Sequence, residues 1–309
     1  MSAAISTHDA TKSYGELVAV NKLNLEVEAG EVFGFLGPNG AGKSTTIRCL
    51  LDLARWSTGT SEVLGLDSRR DSVAAHRRLG YLPGDLALYG NLTGHQLLKY
   101  FSNLRGGVDF RFVDALADRF DADLSRRCSE YSSGNRQKLG LIQAFMHKPE
   151  LVILDEPDTG LDPLVQQSFH ELLRETRADG RTVFLSSHTL SEVERVADRV
   201  GIIRHGLLVE VASIESLKAM AIRKIDFEFP ERVDPALFQS IPGVRNVTAE
   251  GLHLTVAYEG SLEAILKEAT RFEPTNLSSR EADLEEIFLA YYRDGDAGPT
   301  AQTRSHAAR

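Results

Sequence analysis

Residues 37–45 read Gly37-Pro38-Asn39-Gly40-Ala41-Gly42-Lys43-Ser44-Thr45 and fit the pattern G-x-x-x-x-G-K-[ST]. No other stretch restricts the fold as strongly. The pattern functions as a loop between a strand and a helix: its backbone N–H groups turn inward around a phosphate, and the helix N-terminus adds its positive end. Both flanks are present. Residues 31–36 are a short, mostly apolar run that reads as a buried strand, and Ile47, Leu50 and Leu51 recur at helical spacing after the loop. In such a loop Lys43 reaches the β- and γ-phosphates of a nucleotide and the Ser44 hydroxyl holds Mg²⁺. The competing reading is a glycine-rich turn that binds nothing; the full set of fixed positions and the strand–loop–helix context speak against it.

At 309 residues the chain is long enough for a full core and two domains. Its 42% hydrophobic and 26% charged residues are ordinary for a soluble globular protein. A net charge of −9 argues against general affinity for nucleic-acid backbone or anionic lipid, so no nucleic-acid partner is expected. No apolar run approaches the length of a membrane span, and the first nine residues lack the charged and apolar regions of a signal peptide. Cys49 and Cys128 lie far apart without metal-ligand spacing and fit a reducing cytoplasm. Cys49, on the helix after the loop, reads as a small packing residue, not a nucleophile.

Along the chain, residues 4–7 and 18–27 are strand-like, with Tyr14-Gly15 between them. The Tyr14 ring either stacks on a nucleotide base or sits at a plain turn, and periodicity alone favours the turn. Strands are expected at 60–64 and 79–83, and helices at 71–78, 93–104 (N-capped by Thr93, stopped by Gly106-Gly107) and 109–120. A long helix follows Ser132-Ser133 and ends near His147-Lys148, whose positive charge would suit the helix dipole. Residues 151–154 and 182–186 read as strands buried on both faces, with helices at 163–177 and 190–197, a strand at 199–203 and a helix at 214–220. This alternation implies a mainly parallel sheet covered on both sides. From residue 224 the order becomes β-α-β-β-α-β, a small split βαβ domain, with a closing helix at 281–292 and a disordered tail at 294–309.

Three clusters carry candidate chemistry. Asp155-Glu156 end a buried strand, at the sheet edge where open α/β folds bind ligands. The aspartate can join the Mg²⁺ shell opposite Ser44, and the glutamate can polarise a water in line with a γ-phosphate. His188 ends the next strand and either contacts the γ-phosphate or is structural. Ser132-Ser133-Gly134-Asn135 open the long helix, as a second anion site or as an ordinary N-cap. Asp162, before Pro163, reads on its own as a helix-entry acid.

Taken together, these residues resemble the nucleotide-binding subunits of ATP-binding cassette (ABC) transporters over about residues 4–220, with the motifs in that family's order. Residues 37–45 match the Walker A loop and residues 151–157 Walker B, with Glu156 at the catalytic position. Residues 131–137 resemble the signature motif, Gly160-Leu161-Asp162 the D-loop and His188 the switch histidine. Tyr14 takes the place of the adenine-stacking aromatic, which reverses the preference for a plain turn. The resemblance implies an α/β P-loop ABC-type ATPase with a mainly parallel sheet core, an N-terminal antiparallel β part and an α-helical subdomain at about 85–148. It places the ATPase domain at 1–222 and an accessory α+β domain at 223–293. It further implies ATP and Mg²⁺ as cofactors and a head-to-tail homodimer of cassettes in the ATP-bound state. Ser132, Ser133, Gly134 and Asn135 of one copy would close over the nucleotide on the other, and Asp162 would be a further nucleotide-binding residue.

The chain departs from the family's pattern in places. The glutamine that touches Mg²⁺ and couples to the permease would fall at Gly84, which has no side chain. Asp85 substitutes for it, or water does, or the loop couples only mechanically. Ser133 and Asn135 replace a glycine and a glutamine of the signature, and Asp158 stands where serine or threonine is common. Residues 82–94 and 282–289 resemble the bacterial drug- and antibiotic-export ATPases whose permease is a separate membrane protein, which implies a peripheral place on the cytoplasmic face of the cell membrane. The apolar stripe Leu284, Ile287, Phe288 and Tyr291 reads as packing, not as a drug site. Other readings are an importer ATPase with a ligand-sensing C-terminal domain and a soluble, non-transport ABC ATPase.

Overall fold

The structure, a computed structural model, describes residues 3–220 and 223–280. The chain divides into two compact units between Ile214 and Glu215. The first unit contains strands β1 (Ala3–Tyr14), β2 (Leu17–Glu28) and β3 (Val32–Leu36), helix α1 (Lys43–Leu50), and strands β4 (Thr58–Val63) and β5 (Leu66–Asp67). Helix α2 (Ser72–Arg78), strand β6 (Leu79–Leu82), and helices α3 (Gly94–Leu104), α4 (Phe110–Arg119) and α5 (Ser133–Phe145) follow. Then come β7 (Leu151–Asp155), α6 (Pro163–Ala178), β8 (Thr182–Ser187), α7 (Leu190–Glu194), β9 (Arg199–Arg204) and β10 (Leu207–Ser213).

Six of these strands form one sheet in the order β10-β9-β3-β8-β7-β6, parallel throughout except for the β10–β9 pair. The central strands are apolar on both faces, as a sheet layered between helices requires. Every residue of β3, β7 and β8 is buried. Phe33 stacks on Phe184 at 5.9 Å and Phe35 leans on the same ring at 5.5 Å, which ties β3 to β8. Each such ring contributes roughly 1.5–3 kcal/mol by leaving water. A second sheet, β2-β1-β4-β5, is antiparallel.

Local chemistry sets the helix starts. Thr93 accepts from the Gln96 amide while the Gln96 side chain returns to the Thr93 N–H, a reciprocal cap on α3. Asp109 caps α4, Ser132 caps α5 and Asp162 caps α6, with Pro163 in the first turn.

The structure corrects several boundaries. The first strand continues to Tyr14, because Lys12, Ser13 and Tyr14 pair with Val20, Val18 and Leu17 through register shifts that no alternation in residues 8–13 announces. Helix α5 stops at Phe145, and Lys148 turns to φ +49°, so His147 and Lys148 lie beyond its last turn. Burial pushes the His147 imidazole down to about 4, so near neutral pH it carries no charge for the helix dipole. Helix α7 ends at Glu194, short of residue 197.

Straddling the division is helix α8 (Ile214–Met220). The second unit then runs β11 (Arg223–Glu228), α9 (Ala236–Gln239), β12 (Val244–Glu250), β13 (His253–Tyr258), α10 (Glu263–Ala269) and β14 (Asn276–Arg280). Its sheet order is β12-β13-β11-β14, all antiparallel, which is the split βαβ arrangement. Alternation sorts the faces: Ile225, Phe227, Leu254, Val256 and Tyr258 are buried with Phe238 and Ile265 of the helices. The last strand starts only at Asn276, because Thr270–Phe272 extend α10 as a 3₁₀ turn and Glu273 takes φ +50°. The expected helix at 281–292, its stripe Leu284, Ile287, Phe288 and Tyr291, and the tail at 294–309 lie outside the described residues.

Candidate nucleotide site

The loop between β3 and α1 is shaped by close approaches. A Cβ on Gly37 would lie 2.5 Å from the Ile203 carbonyl, and one on Gly42 2.6 Å from the Ala19 carbonyl, where φ is also +113°. Neither position admits a side chain. Gly42 is the N-cap of α1 and no side chain caps that end. Asn39, Gly40 and Ala41 form the outer bend, with the Ala41 N–H donating to the Pro38 carbonyl at 3.1 Å, and Ser44 and Thr45 stand half-buried in the first turn of α1.

Lys43 is only 5% exposed. Its ammonium donates to the Gly37 carbonyl at 2.7 Å and the Pro38 carbonyl at 3.2 Å, and lies 3.3 Å from Glu156 Oε1. The other Glu156 oxygen lies 3.5 Å from His188 Nδ1. The carboxyl ends of β3, β7 and β8, adjacent in the parallel sheet, thus bring together three residues singled out from sequence: Lys43, Glu156 and His188. Such an array can hold a phosphate with its cation and present a carboxylate, oriented by an imidazole, to a water beside it.

Asp155, 4% exposed, ends β7. Its Oδ1 accepts from the Ser186 hydroxyl at 2.5 Å, and that same hydroxyl accepts from the Glu156 N–H at 3.1 Å. Ser186 therefore organises both acids, and sequence reasoning missed it. The signal was its place two residues before His188 at a strand end, directly opposite Asp155 in the β7–β8 register. Ser186→Ala would leave the buried Asp155 oxygen short of a donor, and is expected to cost about 1–3 kcal/mol of stability. A urea midpoint equal to that of the parent chain would show that the hydroxyl is dispensable.

Gln137 ends the signature-like stretch 131–137 but carries no role of its own in the sequence reading. From α5 its amide donates to the Pro157 carbonyl at 2.8 Å and the Glu156 carbonyl at 3.4 Å, holding the turn after β7 from the helical side. Glu156 needs such restraint, because it sits at φ +52°, a conformation costly to a residue with a side chain.

Gly84 lies against the same acid: a Cβ there would stand 3.3 Å from Asp155 Oδ2, while Asp85 beside it is exposed. Tyr14 is 48% exposed, with the Lys12 ammonium 4.5 Å above its ring. At the start of α5, Ser132 accepts from the Asn135 N–H at 3.3 Å, the ordinary capping role. A Cβ on Gly134 would come 2.7 Å from the Gly160 carbonyl, so this end of α5 packs directly on the loop before α6; Ser133 is exposed beside it. Asp162 accepts from the Val165 N–H at 3.1 Å and lies 3.8 Å from the buried Lys138 ammonium. Both cysteines are buried, and burial pushes the Cys49 thiol up to about 11, which suits packing and not nucleophilic chemistry.

Residues 20–159 match the family model described as ABC transporter. The bacitracin transport ATP-binding protein BcrA of Enterococcus faecalis is 34% identical over 295 residues, covering 93% of this chain and 96% of that protein. The daunorubicin resistance ATP-binding protein DrrA3 of Streptomyces coeruleorubidus is 38% identical over 221 residues, 70% of each chain. Among solved structures, the ATP binding subunit of an ABC transporter superposes with a TM-score of 0.66 at 28% identity, covering 70% of this chain and 92% of that one. A bacterial ABC transporter cassette solved as a dimer shares the fold at 19% identity, with a TM-score of 0.63 over 68% of this chain and 98% of its own. The chain belongs to the ABC transporter family, as an ATP-binding, ATP-hydrolysing subunit.

Proposed function

We propose that this subunit powers export of a drug, antibiotic or other hydrophobic compound through a separate integral-membrane permease, bound peripherally on the cytoplasmic face of the cell membrane. The observation that carries its role as an engine is the contact chain from Lys43 through Glu156 to His188 at adjacent strand ends. In this reading Gly37, Asn39, Gly40, Ala41, Gly42, Lys43, Ser44 and Thr45 wrap the phosphates, Tyr14 stacks on the adenine, Glu156 polarises the attacking water and His188 orients it. Two copies face head to tail, so that Ser132, Ser133, Gly134 and Asn135 of one close the site of the other, and Asp162 is a further nucleotide-binding residue. Residues 1–222 are the ATPase domain, with a helical subdomain at about 85–148, and residues 223–293 an accessory domain.

The Ser44 hydroxyl and the Asp155 carboxylate are hard oxygen donors suited to Mg²⁺. Ser186 holds one Asp155 oxygen, and the other faces Gly84, where no side chain fills the space, so a cation or its water fits there; Asp85 is a further candidate. Bound Mg²⁺ would offset charge on the phosphates. Export is supported by the relatives named for bacitracin transport and daunorubicin resistance. No described helix is long and apolar enough to cross a membrane. The test is to isolate the chain from membranes of its own cell, identify the integral-membrane protein that accompanies it, and assay ATP-dependent uptake of hydrophobic antibiotics into inverted vesicles. Recovery without any membrane partner would overturn the reading.

A further inference from the structure

Asp158 and His170 form a buried pair that the site described above does not use. They are 6% and 7% exposed, and His170 Nε2 lies 3.4 Å from Asp158 Oδ1. Neither atom has a hydrogen-bond partner, and each lies within ion-pair distance of the other. Burying two such groups is unfavourable unless each compensates the other, and removing one alone strands its partner. Asp158 stands two residues after Glu156, on the turn between β7 and α6, while His170 is on the second turn of α6 beyond its cap at Asp162. Helix α6 also grips this turn by its backbone: the Gln166 amide donates to the Asp158 carbonyl at 3.4 Å.

The turn is therefore anchored from three elements, β8, α5 and α6. Ser186 holds its start from β8, Gln137 holds the Glu156 and Pro157 carbonyls from α5, and the Asp158–His170 contact ties its middle to α6. Glu156, at φ +52°, keeps its direction only while such anchors outweigh the backbone cost. We propose that the Asp158–His170 pair is a latch that positions Glu156 for attack on bound ATP. His170 and Asp158 are positioning residues in this role. The proposal rests on Glu156 being the catalytic carboxylate. It does not involve the phosphate loop, so a loosened latch lowers turnover and leaves nucleotide affinity in place.

The test measures ATP turnover and nucleotide affinity of the full chain carrying Asp158→Ala, His170→Ala and both. Each single variant is expected to lower kcat about 10-fold or more with KM for ATP changed less than 2-fold. Because the two side chains act as one unit, the double variant should be no slower than the worse single. Turnover unchanged in either single, or losses that multiply in the double, would overturn the latch. If the alanine variants do not fold, Asp158→Asn and His170→Gln keep the size and polarity of the pair, and the same two criteria decide. Glu156→Gln, run alongside, separates the two failures: full turnover in that variant removes the catalytic assignment itself, whereas its loss together with normal latch variants removes only the latch.

Discussion

Lys43→Ala is expected to weaken ATP binding by about 100-fold or more. Charge-assisted hydrogen bonds to an anion contribute about 1.5–3 kcal/mol each, and a Lys ammonium at the head of α1 can make two to the phosphates; each 1.4 kcal/mol is a factor of ten. The reach is built in: the ammonium already lies within hydrogen-bond distance of two loop carbonyls and 3.3 Å from Glu156, so it sits inside the loop and not in solvent. The substitution should leave the fold intact, because Glu156, whose side chain is 28% exposed, can exchange its lost partner for water. Titration with a fluorescent ATP analogue in competition with ATP gives the affinity directly. A variant that binds ATP within threefold of the parent chain would refute the assignment of residues 37–45 as the phosphate site.

Glu156→Gln is expected to lower turnover by about 10²–10⁴-fold while ATP still binds, the range lost when a positioned general base is removed. The amide keeps the shape of the carboxylate but cannot take a proton from water. It also removes a negative charge 3.3 Å from Lys43, which frees that ammonium for phosphate. Both effects favour the nucleotide-bound form, so ATP should convert the variant to a lasting dimer, seen as an earlier peak in size-exclusion chromatography. Unchanged turnover would end the catalytic assignment. Loss of turnover without an ATP-dependent dimer would keep the catalytic role but argue against closure of one copy over the other.

How much of this was legible beforehand varies from residue to residue. The loop of residues 37–45 was legible because a tight turn with two glycines in close contact with neighbouring backbone leaves a local pattern. The helix starts at Thr93, Asp109, Ser132 and Asp162 were legible for the same reason: a cap and the amide it serves are three residues apart or fewer. The first strand was read too short, because pairing with β2 holds residues 8–14 extended although their polarity carries no period. His147 was misread as a charge at a helix end, because its burial against the Leu79 carbonyl, 68 residues away, is invisible locally.

The sequence by itself determined the family, the order of the motifs, and which acids, lysine and histidine could carry the chemistry, since each follows from residue type and short spacing. Only the tertiary structure decided how those residues are held. Ser186 meets Asp155 across 31 positions, Gln137 meets the Pro157 carbonyl across 20, and His170 meets Asp158 from a different element. Gly84, which reads in sequence as a missing side chain, proves to abut the Asp155 carboxylate. The physical reason is common to all four. Sheet register and helix packing bring together groups that chain distance separates, and a buried polar group takes its meaning from the partner it finds there.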